Sequence, residues 1–308
     1  MRRGGSGLNL LLGVNKPAGM SSHDVVNRVR RALGERRVGH AGTLDPAATG
    51  VLVVGVGQGT RLMGHLTSNT KSYLASIAFG AETNTDDAEG EVVRTADVPA
   101  ELYDAAYARE VLARFVGPQM QVPPAFSAIS VGGKRSYARA RAGEEVELEA
   151  RPVVVESADL IAVVGGEVPC WQCTFVVSKG TYIRALARDM GREVGSAAHL
   201  LDLCRTTSGN VTLGMCTSLE TLAELGADGV RSVALDPVRA LGMPVRELEE
   251  REVRFVRGGN TIPSEPGLAL GTSVAVVREG LVLGIWRVSV GGLRPVVNFP
   301  DGIEGVRS

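Results

Sequence analysis

Apolar residues recur along this chain in two rhythms, and these predict where it forms strands and where helices. Residues 8–14 and 51–56 are nearly unbroken apolar runs, as expected of strands buried on both faces, and residues 71–79 form a strand with partial alternation. Between the first two runs, Val25, Val26, Val29, Ala32 and Leu33 recur at helical spacing. That helix is expected to start at Ser21, where Ser21-x-x-Asp24 forms a capping box, and to stop at Gly34. Further amphipathic helices are predicted over residues 100–115, through Leu102, Ala106, Val111 and Phe115, and over residues 182–194, through Leu186, Ala187, Met190 and Val194. Strands are expected around residues 153–155, 160–164 and 171–177, an acidic loop over 80–91, and an ordered loop over 118–135 with Pro123-Pro124 and a Gly132-Gly133 turn. Antiparallel strand pairs mixed with packed helices predict an α+β fold around a mixed, largely antiparallel sheet, not a doubly wound one.

From about residue 245 the texture changes. Apolar runs at 274–277, 281–288 and 295–299, separated by Arg-Glu-Gly and Gly-Gly turns, predict a small separate β-barrel. The expected organisation is therefore a flexible tail over residues 1–7, a main domain over 8–244 and a β domain over 245–308.

Charge changes the picture by its placement. The formal net charge is −1, which argues against a generic nucleic-acid binder. Residues 1–40, however, carry Arg2, Arg3, Lys16, Arg28, Arg30, Arg31, Arg36 and Arg37 against Asp24 and Glu35. Residues 82–91 carry Glu82, Asp86, Asp87, Glu89 and Glu91 with no base. The first region can attract phosphates while the second, read as solvated, neutralises the total. The arginines from 28 to 37 read either as a solvated helix face or as a phosphate track, and their continuation towards the next loop favours the track. No run approaches the roughly 18 apolar residues of a membrane span, and the start lacks a signal-peptide pattern, so the chain reads as cytoplasmic with no membrane partner.

Two tempting motifs fail. Cys170-x-x-Cys173 has metal-ligand spacing, but in a strand residues three apart point to opposite faces, so buried reduced thiols are expected and no metal. Gly55-x-Gly57-x-Gly59 lacks the third dinucleotide glycine in place and the later acid, and no Gly-Lys-Ser/Thr follows.

One loop does carry chemistry. In Gly39-His40-Ala41-Gly42-Thr43-Leu44-Asp45-Pro46 a carboxylate precedes a proline, which biases its backbone to extended geometry. Such a loop is either a turn whose Asp caps the next segment or a catalytic loop. A second constellation, Lys179-Gly180-Thr181-Tyr182-Ile183-Arg184, favours catalysis. Together with Lys16-Pro17-x-Gly19-x-Ser21-Ser22 and Lys71-x-Tyr73, these motifs stand in the order and spacing of the TruB-type tRNA pseudouridine synthases, which the chain resembles from about residue 8 to 219. The C-terminal pattern resembles, through composition, the PUA-like RNA-binding domain that ends many members.

The resemblance implies that uridine 55 in the T-loop of tRNA becomes pseudouridine. The N1–C1′ bond breaks, the uracil turns, and it rejoins through C5. That needs neither a redox step nor a group donor, so no cofactor is expected. Asp45 would attack C1′ or remove a neighbouring sugar proton. Arg184 would hold that carboxylate ionised, and Tyr73 would stack on the base and handle a proton at C5. Tyr182 and Leu203 would line the pocket, and Lys16 with Pro17 would brace the loop from below. His40 would recognise RNA and hold the extruded nucleotide, Lys179 would bind substrate, and Arg30, Arg31 and Arg37 would track phosphates. A stand-alone monomer acting on the T-arm, with no protein partner required, is expected. Where members often show Arg-Arg before Thr this chain has Cys204-Arg205-Thr206, and Phe126 and Ser130 stand where Tyr and Lys are common, removing possible RNA contacts. The rival readings are a non-catalytic RNA-binding or RNA-folding protein, a guide-RNA-dependent pseudouridine synthase subunit, and a nucleoside hydrolase or glycosylase that would release free uracil.

Overall fold

In the computed structural model, which describes residues 5–67, 70–127, 130–131, 134–135 and 148–307, the two apolar runs are the strands Leu10–Lys16 and Thr49–Val56. They pair antiparallel, with Leu10 opposite Val56 and Lys16 opposite Gly50. The chain divides into two units, Met1–Asn69 with Thr207–Ser308, and Thr70–Thr206. Within the first unit these strands explain their own sequence, because both faces are covered. Leu10, Leu12, Val14, Leu52, Val54 and Val56 pack with Val25, Val26, Val29 and Leu33 of the helix Ser22–Leu33 and with Leu219 and Leu222 of a second helix, Leu219–Gly229. Leu11, Val51 and Val53 face the other way, into a core completed by Ala275, Val277, Val282, Ile285, Phe299 and Ile303. A period of two with burial on each side leaves no polar position between Leu10 and Val14 or between Val51 and Val56. The Ser22–Leu33 helix has the predicted capping box at Ser21 and ends on Gly34 in the left-handed conformation. The Gly-rich turn at 55–59 is a matter of close approach: a Cβ on Gly57 would lie 2.1 Å from the Leu8 carbonyl oxygen.

The C-terminal residues of this unit build a four-stranded sheet in the order Val245–Glu247, Ser273–Arg278, Leu281–Ser289 and Gly292–Glu304. The first pair is parallel and the others antiparallel. One face closes a small core with Val256 of the helix Glu250–Arg257, through Leu248, Ile262, Val276, Leu283 and Trp286. The expected closed barrel is corrected here to an open sheet. Its second face has no need to curl onto itself, because Ala275, Ile285 and Phe299 are covered by the core they share with Leu11 and Val53.

The second unit holds the strands Ala198–Ser208, Lys71–Phe79, Cys170–Val177, Arg151–Val164 and Gly117–Gln121 in that spatial order. Arg151–Val164 is one strand of 14 residues. Register shifts at 155/157 and 160/162 break its alternation, which is why it reads as two pieces in sequence. Ala198–Ser208 was not anticipated, since exposed Leu201 and Asp202 interrupt its pattern. The helix Ala105–Arg114 begins at Asp104, whose carboxylate accepts from the Ala106 and Tyr107 amides at 2.6 and 2.9 Å. Trp171, fully buried, packs against Phe79 with ring centroids 4.5 Å apart and planes tilted by 58°, and donates to Leu102 O at 2.8 Å. Cys170 and Cys173 fall on opposite faces of their strand as free thiols, and burial pushes the Cys173 thiol up to about 12. The Gly132-Gly133 turn and the side chain of Ser130 lie outside the described residues, and no described helix is long and apolar enough to cross a membrane.

Because the C-terminal sheet supplies Ala275, Val277, Val282, Ile285, Phe299 and Ile303 to the core behind Leu11, Val51 and Val53, cutting the chain before Val245 should expose that apolar layer. The truncated protein is expected to aggregate or to melt well below the full chain in a thermal scan. A soluble remnant with unchanged melting temperature would show that the sheet is an appendage.

Candidate active site

Asp45 sits on a loop whose backbone is pinned on both sides. The motif is not all loop, as its sequence suggested: Val38–Ala41 is a strand paired to Thr49–Val56, with His40, half-buried, opposite Val54. The chain then leaves the sheet through Gly42, at φ 84°. Ser22, the first residue of its helix, grips Leu44 twice: its hydroxyl donates to Leu44 O at 3.0 Å and accepts from Leu44 N at 2.8 Å. The Leu44 side chain is buried, which adds an apolar anchor. On the far side, Pro46 O accepts from Lys16 Nζ at 3.0 Å and from Gly19 N at 3.0 Å. Lys16 is fully buried, and its ammonium also donates to Pro17 O at 2.8 Å. A buried ammonium must keep such partners, so Lys16, Pro17 and Pro46 fix one another. Sequence singled out Lys16 but gave Ser22 no role of its own, naming it only as the last residue of the motif that begins at Lys16.

The arginines of this unit divide. Arg28, Arg31, Arg36 and Arg37 are exposed, Arg37 with its Nε on Thr60 Oγ1 at 3.0 Å. Arg30 is half-buried and ties the helix to the next strand, donating to Val38 O and Asn27 Oδ1 at 3.0 Å each.

The remaining candidates lie in the second unit. Tyr73 is buried on Lys71–Phe79, opposite Phe175. Lys71, two residues before it, is buried too, and burial, Arg205 and Lys179 bring its ammonium down to about 8. Arg205 is fully buried on Ala198–Ser208, where Leu203 is half-buried, and Lys179 is exposed on a turn closed by Gly180 at φ 84°. Tyr182 caps the helix Ile183–Glu193 and is held by Gln121. The Gln121 amide accepts from Tyr182 N at 2.9 Å and donates to Tyr182 O at 3.1 Å. No local pattern announces Gln121, because the clamp spans 61 residues of sequence.

Arg184 is buried in a cage of oxygens. Its Nη1 donates to Thr85 O at 2.8 Å and lies 3.5 Å from Asp87 Oδ2, while Nη2 donates to Phe126 O at 3.0 Å. The guanidinium is thus held by the acidic turn on one side and by a backbone carbonyl of the Pro-rich segment on the other. That turn is not the solvated loop its charges suggested. Glu82 and Asp86 are buried, and their bases come from distant sequence: Arg94 and Arg192 meet Glu82 at 2.5 and 2.8 Å, and Arg188 meets Asp86 at 2.8 Å. Burial pushes the Asp86 carboxyl up to about 6, with Arg188 and Arg184 opposing. Burial acts on Glu82 in the same direction, but hydrogen bonds from Arg192 and Arg94 prevail and bring it down to about 2.

Comparison with known proteins gives the chain its family. Residues 30–183 match the model of the TruB family pseudouridylate synthase N-terminal domain. A tRNA pseudouridine synthase B of Paenarthrobacter aurescens is 47% identical over 88% of this chain and 86% of its own. One from Arthrobacter sp. is 41% identical over 96% of this chain and 98% of its own. This chain belongs to the TruB family. Its fold is the pseudouridine synthase fold: a solved H/ACA ribonucleoprotein bound to a substrate RNA containing 2′-deoxyuridine aligns at TM-score 0.69, over 95% of this chain and 85% of that one, at 20% identity. An archaeal box H/ACA Nop10-Cbf5 complex aligns at 0.65 over 91% and 78%, at 22% identity.

The Glu82 cluster gives this TruB-family chain a defined acid weakness. A carboxylate whose folded pKa is depressed contributes stability that is complete above its unfolded value and fades as pH falls towards the folded one. Glu82 should therefore lose its contribution between pH 4.5 and about 2, and Glu82→Gln should flatten that part of the curve. Urea midpoints measured across that range test it, and parallel curves for parent and variant would contradict it.

Proposed function

We propose that this chain isomerises uridine 55 in the T-loop of tRNA to pseudouridine, with Asp45 acting on the ribose. The observation that carries the reading is the pinned loop around Asp45, within a chain whose relatives are named tRNA pseudouridine synthase B. A carboxylate that attacks C1′ or takes a neighbouring proton must stay within tenths of an ångström of its target. A misplacement of about 1 Å can cost on the order of a hundredfold in rate. Bonds to Leu44 and Pro46, the residues on either side of Asp45, supply that constraint without using its side chain. Arg184 is proposed to pair with Asp45 and hold it ionised, and Tyr73 to stack on the flipped uracil. His40, Tyr182, Leu203 and Lys179 are proposed to hold the extruded nucleotide. Exposed Arg31 and Arg37, with Arg28 and Arg36, are proposed to track phosphates, whereas Arg30 is occupied in bracing its helix. The sheet from Val245 onward is proposed to be a PUA-like RNA-binding element, with exposed Arg254, Arg257, Arg287 and Arg294 available to backbone phosphates.

The test is single-turnover pseudouridine formation on an unmodified T-arm, with no guide RNA present. Asp45→Asn should give no product while tRNA affinity stays within about tenfold, or ~1.4 kcal/mol. Appreciable product from Asp45→Asn would remove Asp45 from the chemistry, and a requirement for guide RNA would favour the ribonucleoprotein reading. Arg184→Lys should also be slow, since a point charge cannot reproduce the planar fork.

Ser22→Ala removes both grips on Leu44 and leaves a buried amide without its acceptor. Its single-turnover rate should fall by about tenfold or more with little change in tRNA affinity. A parental rate would show that the loop holds Asp45 without Ser22.

Replacing Arg31, Arg36 and Arg37 by Gln should weaken tRNA binding and reduce the salt slope by up to about one unit per lost contact. An unchanged slope would mean that these arginines merely solvate their helix.

A further inference from the structure

The reaction proposed above makes a second negative charge besides that of Asp45. Breaking the N1–C1′ bond leaves its electron pair on the uracil, whichever way Asp45 acts. If the carboxylate attacks C1′, the base is displaced as an ester forms. If it takes a proton from C2′, the C–H pair becomes a C1′=C2′ bond as the base leaves. In both cases the base departs as an anion whose charge spreads over its carbonyl oxygens. A site that excludes water has to hold a donor ready for that charge before it forms.

Lys71 stands where such a donor is needed. It opens the strand Lys71–Phe79 and precedes Tyr73 by two residues, so the two side chains project from one face. The register is unbroken there, with Lys71 opposite Val177 and Tyr73 opposite Phe175. Two residues beyond Val177 the chain enters Lys179-Gly180-Thr181-Tyr182. Lys71 therefore lies between the residue proposed to stack on the base and the turn that leads to Tyr182. Lys71 and Tyr73 are each 7% exposed. That shared depth favours the base over a phosphate as the partner of Lys71, whereas Lys179 is exposed, as a contact to the RNA backbone requires. Arg205, fully buried on the neighbouring strand Ala198–Ser208, adds its charge from close by. Positive charge gathered in this way draws in an anion. Burial, Arg205 and Lys179 bring the Lys71 ammonium down to about 8, so it remains protonated at neutral pH and donates more strongly than an exposed lysine.

We propose that Lys71 is a further catalytic residue, its ammonium donating to a carbonyl oxygen of the flipped uracil and stabilising the anion formed when N1–C1′ breaks. When C5 then gives a pair to C1′, the ring hydrogen is exchanged from C5 to N1, and Lys71 keeps its own proton throughout. The inference rests on the reading of this chain as a pseudouridine synthase whose Tyr73 stacks on the base.

The test compares Lys71→Met with the parent on two T-arms, one carrying uridine at the target position and one 5-fluorouridine. Single-turnover loss of the target nucleoside is followed at saturating RNA and slightly acidic pH, where both bases are neutral. The fluorine stabilises the departing anion, so that base needs less help from the protein. Lys71→Met should be slower on uridine by about a hundredfold, with RNA affinity within about threefold. Its deficit on 5-fluorouridine should be smaller by about tenfold, a difference that neither loosened packing nor a lost phosphate contact produces. A parental rate on uridine overturns the inference, as does an equal deficit on both substrates or a deficit confined to affinity. If Lys71→Met fails to fold, Lys71→Arg decides, because it keeps the charge. Its ratio of 5-fluorouridine to uridine rates should stay parental, and a raised ratio overturns the inference. Asp45→Asn run alongside separates the two layers. Product from Asp45→Asn, or none from the parent, overturns the reading of the reaction and this inference with it. An active parent and an inactive Asp45→Asn beside a parental Lys71→Met overturn the role of Lys71 alone.

Discussion

A charge taken out of water has to be met by oxygen or nitrogen partners of fixed geometry, and where those partners are backbone atoms the charge fixes the backbone. Lys16 is the plainest case. Its side chain is fully buried and its ammonium reaches the carbonyls of Pro17 and Pro46, so the strand end that carries it and the loop that carries Asp45 cannot move apart without costing the cation its bond to Pro46. Ser22 does with a hydroxyl on the near side of Asp45 what Lys16 does on the far side. Asp45 is half-buried. A loop held through its neighbours in this way can present a carboxylate to a substrate that arrives from outside.

The second unit meets the same demand more densely. Arg184, Arg188, Arg192 and Arg94 converge on Glu82, Asp86 and Asp87, with the carbonyls of Thr85, Val122, Phe126 and Ser196 taking further donors. Arg184 is the member proposed to act with Asp45, and it is also one of the most enclosed. The other ion pairs surround the turn and the Pro-rich segment that grip it. Stability and function draw here on one network, since loosening the turn to relieve any one charge would also free Arg184.

How much of this was legible in the sequence depends on the range of the interaction. The Ser22–Leu33 helix declared its apolar face, its capping box and its terminal glycine within 14 residues, and the structure has all three. The continuous apolar runs announced strands buried on both faces. The Asp45 loop, Tyr73 and Arg184 stood out as ordered motifs. What escaped was long-range pairing. The acidic run at 82–91 looked solvated because its bases lie as far off as Arg188 and Arg192, and Gln121 carried no mark of its clamp on Tyr182. The strand Ala198–Ser208 was hidden by exposed residues in its middle. The C-terminal strands were read from their periodicity, but not that they stay open, because closure depends on which core covers the second face.

On the proposed function, this chain acts on its own to turn one uridine of the tRNA T-loop into pseudouridine. Mapping every pseudouridine, by chemical labelling at nucleotide resolution, in unmodified tRNA incubated with the purified protein alone tests it most directly. A single new site at uridine 55, with no uracil released, is expected. No pseudouridine at that position, or free uracil among the products, would contradict it.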